Sequence, residues 1–454
     1  MSSSIALGKI IDTNYRIGIL SKLANRHGLI AGATGTGKSV TLMTLVESFA
    51  KAGVPVFISD VKGDISGLAS NQSLSTVFWD IYGKKGLPIN VSLENVGSLM
   101  LSKILNLNET QSGVITIAFK YAKDLGTNIV SFEDLRSILN QMNTNRADLS
   151  VKYGLISSMT VAGIMRAILV FTEESGEDFF GHPSFDLMKM IRHDDNGNGV
   201  INIMDSTQLV LNPSLYSTFL LWMLTELFRK LPELGDVAKP KFVFVFDESH
   251  LLFRDATPML LQKIEQVVRL IRSKGVGIYF CSQVPDDIPN EILGQLGNKI
   301  QHALRAFTPR DQKMIKSCAE SFAPNPNIDT LAMIQSLGTG EALVSFLSAK
   351  GVPQPVQHVK VQMPECKLGE LSEEARQAII KATDFLVTRK TETPAPTMVA
   401  PARVSPATPS FPSGSFQTSV MRGMLGVVSP KEPTQLTEVR LSFVQRMRRM
   451  FKTA

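Results

Sequence analysis

Short apolar runs, helical patterns and polar turns alternate through the first part of the chain. Gly28 to Ala31 is predicted to be a buried strand, and Val40 to Lys51 a helix, because its apolar residues recur every three or four positions. Val54 to Ser59 is a second apolar run that ends in acidic residues. A strand, a helix and a further strand in this order predict a parallel sheet with right-handed crossover connections.

The pattern becomes mostly helical between about residues 93 and 231. Long amphipathic stretches such as Val114 to Lys123 dominate this region, and one short strand, Gly199 to Met204, is expected to return the chain to the sheet. Further strands are predicted at Phe242 to Phe246, Val276 to Ser282, Lys299 to Leu304 and Glu341 to Leu347. The expected fold class is therefore α/β, with a mostly parallel central sheet and a helical insertion.

The composition changes after residue 388, where the predicted core, 1–388, ends. Six prolines between positions 394 and 412 predict a disordered linker over residues 389–435. Residues 436–454 are expected to form a short helix with apolar side chains on one face and arginines on the other.

This tail accounts for most of the net charge. Residues 431–454 hold six basic and two acidic residues, which is +4 of the formal +6 of the whole chain. The basic composition is therefore no evidence that the remaining residues bind DNA. Three roles stay open for the tail: a solvated helix, a peptide that docks on a protein, or an anchor on an anionic membrane or nucleic acid.

Two absences in the sequence bear on location. No apolar run approaches the roughly 20 residues that cross a bilayer, and Met1 to Ile5 lacks the basic cluster of a secretory signal. The three cysteines, Cys281, Cys318 and Cys366, are too few and too widely spaced for a disulfide framework or a zinc site. We therefore expect a cytoplasmic protein with no stable transmembrane insertion.

The segment between the first strand and the first helix carries the strongest chemical signal. Gly32-x-x-x-x-Gly37-Lys38-Ser39 fits the phosphate-binding loop, in which backbone N–H groups and the helix N-terminus surround the phosphates. Lys38 is expected to reach the terminal phosphates and Ser39 to bind Mg²⁺. The predicted nucleotide-binding residues are Gly32, Ala33, Thr34, Gly35, Thr36, Gly37, Lys38, Ser39 and Val40.

Two acidic residues at the end of a later strand indicate hydrolysis. Asp247 follows five consecutive apolar residues, so its carboxylate is expected to hold the Mg²⁺ shell opposite Ser39. Glu248 is then placed to polarise the attacking water, and a glutamate there favours an ATPase motor over a kinase. The alternative is an acidic pair that only ends a strand.

Gln283 ends the next predicted strand, at the edge where open α/β sheets gather their ligands. We predict that it senses the γ-phosphate, although a turn-forming amide before Pro285 is an alternative. A second pattern, from Asp194 to Asp205, fits the spacing of a calcium-binding loop. Its last position is Asp where Glu is usual, and we favour a plain turn that leads into the following strand.

Several segments together are similar to one family. They are Ala24-Asn-Arg-His-Gly-Leu-Ile30, Gly32-Ala-Thr-Gly-Thr-Gly-Lys-Ser39, Ser59-Asp-Val-Lys-Gly-Asp64, Phe246-Asp-Glu-Ser-His250 and His302-Ala-Leu-Arg-Ala-Phe-Thr-Pro-Arg-Asp311. Through them, residues 1 to about 385 resemble the HerA-type ATPases of the HerA/FtsK superfamily, and most closely their compact bacterial YjgR-like branch.

The resemblance implies a RecA-like core that binds ATP and Mg²⁺ and assembles into a homo-oligomeric ring such as a hexamer. It also implies that ATP lies between neighbouring subunits and that an arginine is supplied in trans. In related ATPases this arginine lies just before the strand that ends in the sensing glutamine, and Arg272 occupies that position here. Arg269, Arg305 and Arg310 are the alternative candidates for the same role. The implied activity is ATP-driven DNA translocation or unwinding. The alternative is an ATP-switched assembly protein that acts on a protein or membrane partner.

Overall fold

The structure is a computed structural model that describes residues 4–13, 15–175, 179–182, 185–253 and 258–386. The chain divides into two units, residues 1–392 and residues 393–454. The predicted linker and terminal helix lie outside the described residues. The description below concerns the first unit.

Twelve strands in the described residues form one sheet. They are β1 Ser4–Ile10, β2 Arg16–Leu20, β3 Gly28–Ala31, β4 Val56–Asp60, β5 Thr76–Asp80, β6 Leu87–Pro88, β7 Ile201–Asp205, β8 Phe242–Phe246, β9 Val276–Ser282, β10 Asn298–Gln301, β11 Glu341–Ser345 and β12 Gln357–Val361. Their spatial order is β2-β1-β12-β11-β10-β3-β9-β8-β4-β7-β5-β6.

Helices cover the sheet and form the insertion. Those in the described residues are α1 Lys38–Lys51, α2 Leu93–Ile104, α3 Glu109–Asp124, α4 Phe132–Thr144, α5 Arg146–Tyr153, α6 Ser158–Ser175, α7 Pro213–Lys230, α8 His250–Phe253, α9 Pro258–Ile271, α10 Asn290–Leu293, α11 Pro309–Glu320, α12 Thr330–Ser336 and α13 Glu373–Thr383. The first five after α1, α2 to α6, all fall between β6 and β7. The predicted helical insertion is thus present.

The sheet is parallel from β10 through β6 and antiparallel from β2 to β10. The prediction of a mostly parallel sheet is confirmed. The central strands are buried along their whole length, as in the Phe-Val-Phe-Val-Phe sequence of β8. A parallel sheet covered by helices on both faces requires such continuous apolar strands.

The insertion helices begin at side-chain caps. Asn108 and Ser131 start α3 and α4, and each takes part in a capping box with the residue three positions later. Among the described helices, none is by itself both long and apolar enough to cross a lipid bilayer. Only α5 taken together with Ser158–Glu173 reaches that length, and the two are bent by 94° where they meet.

The three cysteines of the chain are all free and buried. Cys281 lies in β9, Cys318 in α11, and Cys366 between β12 and α13. Burial raises the pKa of the Cys281 thiol well above its ordinary value, and it raises the pKa of Cys318 and of Cys366 to about 12 in each case. All three thiols are therefore protonated at neutral pH.

The turn before β7 has its own hydrogen bonds. Asp194 accepts hydrogen bonds from the backbone N–H groups of Asn196 and Asn198, both at 2.9 Å. Asp205, the last position of the calcium-loop pattern, pairs with Arg376 in α13 instead. The residues of the pattern therefore form the plain turn that the sequence favours.

Arg376 fixes α13 to the sheet through a buried ion pair. Its side chain is 1% exposed, Nη1 lies 3.2 Å from Asp205 Oδ2, and the guanidinium lies 4.7 Å from the centroid of the Phe78 ring. Breaking a buried pair leaves an uncompensated charge, which costs about 3–5 kcal/mol. This contact is therefore expected to matter far more than a surface ion pair.

We expect Arg376→Met to lower the free energy of unfolding by roughly 3 kcal/mol, since Asp205 would stay buried without its main partner. The measurement is a urea titration followed by circular dichroism. The control is Lys316→Ala, which removes a surface pair with Glu320 and should cost at most about 1 kcal/mol. Equal effects of the two substitutions would contradict an anchoring role for Arg376.

Candidate functional site

Four neighbouring parallel strands, in the order β3, β9, β8 and β4, end at one edge of the sheet. We call this the carboxyl edge. The P-loop, residues 32–39, follows β3, and Gln283 follows β9. Asp247 and Glu248 follow β8, and a turn over residues 61–64 follows β4. The sheet order therefore brings together residues as distant in the sequence as Gly32 and Gln283, at the edge where open α/β sheets bind ligands.

The shape of the P-loop depends on its glycines. Gly37 has φ 111°, and a Cβ atom there would lie 3.0 Å from the backbone of Gly340. A Cβ atom on Gly32 would lie 2.5 Å from the Cβ of His302. The loop is thus packed against the segments that follow β10 and precede β11. Thr34 and Gly35, at its tip, are exposed.

His302 packs against the P-loop at Gly32 and is held by two hydrogen bonds of its ring. Its ring nitrogens lie 2.8 Å from Thr41 Oγ1 and 2.7 Å from the Glu341 carbonyl oxygen. Burial lowers the pKa of His302 to about 4, the hydrogen bond to Glu341 opposes that shift, and the charge of Lys38 adds to it. The ring is therefore neutral and acts as a fixed support.

The functional groups of the P-loop are tied to their surroundings. Lys38 Nζ donates to the Ala33 carbonyl oxygen at 3.0 Å, and Thr36 Oγ1 donates to the same oxygen at 2.7 Å. Ser39 Oγ lies 3.3 Å from Asp64 Oδ2, in the turn after β4. Val40 continues into α1 and is half-buried. Lys38 is thus folded over the loop, within reach of a phosphate that would occupy it.

Asp247 is 6% exposed at the end of β8. Burial raises its pKa to about 6, and the charges of Glu248 and Asp64 add to that rise, while Lys62 opposes it. Cys281, on β9 between the P-loop strand and β8, feels the charges of Asp247, Glu248 and Lys38 together. The P-loop and the acidic pair thus follow β3 and β8, the two strands that flank β9.

Glu248 is held in a specific conformation. Its φ of 45° lies in the left-handed region, where a residue other than glycine costs about 1–3 kcal/mol. Its Oε1 pairs with the Lys62 ammonium, and its Oε2 lies 3.2 Å from His250 Nδ1. Burial raises the pKa of Glu248, but the contacts with Lys62, His250 and Gln283 outweigh burial and lower it overall. The carboxylate is therefore ionised at neutral pH.

Gln283 is exposed and follows β9 directly. It belongs to the set of side chains that lower the pKa of Glu248, so its amide lies beside that carboxylate. Gln283 therefore lies beside the predicted base, at the edge where open α/β sheets bind their ligands.

The turn after β4 contains residues that the sequence analysis did not assign. Asp60 is 1% exposed and accepts hydrogen bonds from the backbone N–H groups of Gly63 at 2.7 Å and Ile65 at 3.2 Å. It shapes the turn that carries Lys62 and Asp64 toward the carboxyl edge. Burial raises the pKa of Asp60 to about 7, and the neighbouring aspartates add to the rise.

The oxygen atoms around Ser39 suit Mg²⁺. Asp64 Oδ1 is buried and has no hydrogen-bond partner among the described residues. Among all the residues that the structure describes, no group of three or more His, Cys, Asp or Glu side chains could hold a metal ion by itself. Mg²⁺ keeps several waters and commonly uses one or two protein ligands together with substrate phosphates. Ser39 and the unpaired oxygen of Asp64 could therefore hold a Mg²⁺ ion, and Asp247 stays the further ligand predicted from the sequence.

Arg272 and the P-loop of the same chain lie at opposite ends of the strands that form the centre of the sheet. Arg272 immediately precedes β9, so it belongs to the opposite edge of the sheet. There it lines a cavity of about 590 Å³ together with Lys22, Arg26 and Lys350. None of these four side chains has an ion pair or hydrogen bond within the described residues. Partial burial lowers the pKa of Arg272, and the charge of Arg26 adds to that effect.

The three competing arginines have other surroundings. Arg269 pairs with Glu265 on the exposed face of α9. Arg305 donates to the carbonyl oxygens of Gln335 and Leu337 at the end of α12. Arg310 is exposed in the first turn of α11. Arg272 alone among these four lines the cationic cavity.

Comparison with known proteins gives a consistent result. The family model described as "Helicase HerA-like C-terminal" matches residues 9–76 and 69–394. The chain is 24% identical over 354 residues to the DNA double-strand break repair helicase HerA of Sulfolobus acidocaldarius, covering 76% of this chain and 67% of that protein. It is 25% identical over 346 residues to the DNA import protein CedB of the same organism, covering 74% and 52%. The chain thus spans about two thirds or less of these relatives.

Solved structures share the fold. VirB4 of Thermoanaerobacter pseudethanolicus matches with a TM-score of 0.55 at 17% identity, over 80% of this chain and 97% of that one. The plasmid coupling protein TrwB in complex with ADP and Mg²⁺ matches with a TM-score of 0.54 at 16% identity, over 78% and 88%. At these identities the similarity shows a shared fold.

Proposed function

Since the chain belongs to the HerA-like helicase C-terminal family, we propose that it is a Mg²⁺-dependent ATPase motor that acts on duplex DNA as a homo-oligomeric ring. The observation that carries the proposal is the convergence of the P-loop with Asp247 and Glu248 at the carboxyl edge. A phosphate-binding loop beside a paired carboxylate is what ATP hydrolysis requires.

The residues of the carboxyl edge divide the work. Backbone N–H groups of the P-loop bind the phosphates, and Lys38 turns from the Ala33 carbonyl oxygen to the terminal phosphates. Ser39 and Asp247 would hold Mg²⁺, which would supply charge neutralisation at the nucleotide phosphates. Glu248 takes a proton from the attacking water, and Gln283 contacts both that carboxylate and the γ-phosphate.

The cationic cavity at the opposite edge of the sheet favours the proposal of a ring. Lys22, Arg26, Arg272 and Lys350 bring four positive charges together, and their side chains form no ion pair or hydrogen bond with the described residues, although Asp236 also lines the cavity and acts on Arg272. Like charges held close together repel one another unless an anion lies between them. We propose that the triphosphate bound to a neighbouring subunit is this anion, and that Arg272 stabilises its transition state in trans.

DNA is the proposed substrate because relatives with this domain are named for acting on it. One is a DNA repair helicase and another a DNA import protein. The tail outside the described residues carries most of the net positive charge, so DNA binding by the core would depend on local basic groups and not on its net charge.

We expect duplex DNA to raise steady-state ATP turnover several-fold at low salt, because a DNA motor couples ATP hydrolysis to its movement along DNA. The stimulation should decline as salt increases, since phosphate contacts release counterions. The measurement is phosphate release with and without DNA over a salt series, with native mass determination in ATP-analogue and Mg²⁺. A full-length chain that hydrolyses ATP equally with and without DNA at every salt concentration would favour the assembly ATPase.

A further inference from the structure

Lys62 contacts the proposed catalytic base but has no role in the mechanism above. It lies in the turn after β4, which is the strand next to β8. Its ammonium group pairs with Glu248 Oε1. The Lys62 side chain is 46% exposed, whereas that of Glu248 is 5% exposed. A half-exposed lysine thus reaches inward to a buried carboxylate.

The surroundings of this pair are strongly acidic. Asp64 and Asp247 act on Lys62 together with Glu248, and Asp60 lies at the start of the same turn. Without a cation in their midst, these carboxylates would repel one another and Glu248 would be pushed from its place. Lys62 is in ion-pair contact with Glu248 Oε1, and His250 Nδ1 approaches the opposite oxygen.

The two oxygens of Glu248 differ in a way that suits catalysis. Oε1 is occupied by Lys62, whereas Oε2 is buried and has no hydrogen-bond partner among the described residues. His250 Nδ1, 3.2 Å away, is equally buried and unpartnered because the geometry between the two atoms is not that of a hydrogen bond. A buried unpaired acceptor is costly unless something fills the site. Water is the smallest molecule that does so.

We infer that Lys62 is a positioning residue: it clamps Glu248 Oε1 so that Oε2 faces the attacking water. The inference rests on the proposed ATPase function. In the reaction, Oε2 accepts a proton from water while the water oxygen forms a bond to the γ-phosphorus. The bond from that phosphorus to the β,γ-bridging oxygen breaks, and ADP and phosphate leave. Lys62 exchanges no proton and acts only through Glu248.

Lys85 offers a matched control. It is 38% exposed and lies 3.8 Å from the buried Asp205, at the end of β7, two strands from β8. It therefore repeats the arrangement of a half-exposed lysine beside a buried carboxylate at the same edge. It touches neither Glu248 nor the P-loop, so replacing it tests whether loss of any such lysine reduces activity.

We expect Lys62→Met to lower kcat by about 10–100-fold, a part of the 10²–10⁴-fold that a positioned general base supplies. KM for ATP and the affinity for a fluorescent ATP analogue should change by less than about threefold, because Lys62 acts on the base and not on the bound nucleotide. Lys62→Arg should recover most of the rate, since it keeps the cation, and Lys85→Met should match the unmodified chain.

A double-mutant comparison tests whether Lys62 affects the rate through Glu248. In a Glu248→Gln background, Lys62→Met should cause little further loss, because the group it positions is already gone. A further tenfold loss there, or a Lys62→Met rate equal to or above that of the unmodified chain, would overturn the inference. Failure of the proposed function would look different: the unmodified chain itself would bind the analogue without turning over ATP, with or without DNA.

Discussion

Replacement of Glu248 by glutamine is expected to reduce ATP turnover by about 10²–10⁴-fold while ATP binding is retained. The amide has nearly the size of the carboxylate, so the P-loop and the Mg²⁺-binding groups keep their places. It cannot accept the proton of the attacking water. The chemical step is therefore lost selectively, which makes this the sharpest test of the base assignment.

The measurement pairs phosphate release with the binding of a fluorescent ATP analogue. Glu226→Gln serves as the control, since Glu226 is also poorly exposed and paired with basic groups but lies in α7 away from the carboxyl edge. The control should hydrolyse ATP at the rate of the unmodified chain. Unaltered steady-state hydrolysis by Glu248→Gln would remove Glu248 from the mechanism.

Arg272→Ala is expected to lower turnover on the order of 10³-fold, as loss of an arginine finger does in other P-loop enzymes. The affinity for ATP should change little, because Arg272 lies at the edge of the sheet opposite its own P-loop. Mixing Arg272→Ala with Lys38→Ala should restore part of the activity. Some interfaces would then combine an intact P-loop from one variant with an intact arginine from the other.

Arg269→Ala is the matched control, because Arg269 is one helical turn away and pairs with Glu265. Its loss should leave turnover nearly unchanged. Mixed oligomers must be shown to form, for example by pull-down through a tag on one variant. If they form and no activity returns, Arg272 does not act across a subunit boundary.

The sequence was sufficient for the parts of the fold that follow strong periodicity. Continuous apolar runs gave β8 and β9 with their observed bounds, and the glycine-rich segment gave the junction of β3 and α1. Of the strands that follow β4, the sequence did not predict β5, β6 and β12. β6 has only two residues, and in β12 only Val359 and Val361 are buried, so neither strand is long enough to give a clear pattern over a window.

The site was predictable where a motif or a strand end marked it. The same reasoning that identified Asp247 and Gln283 applies to residues 60–64, which also follow an apolar strand. No functional role was predicted for them because the sequence does not reveal that β4 lies beside β8. That neighbourhood brings Lys62 to Glu248 and Asp64 to Ser39. The cationic cavity around Arg272 likewise requires the fold, since its lining comes from four separate segments.

The buried state of the three thiols has a practical consequence. Alkylating dyes react with exposed thiolates, whereas Cys281, Cys318 and Cys366 are enclosed and protonated at neutral pH. A cysteine introduced on the surface would thus carry a fluorophore selectively in the native background. Distances between labelled neighbours in an assembly become accessible without first building a cysteine-free chain.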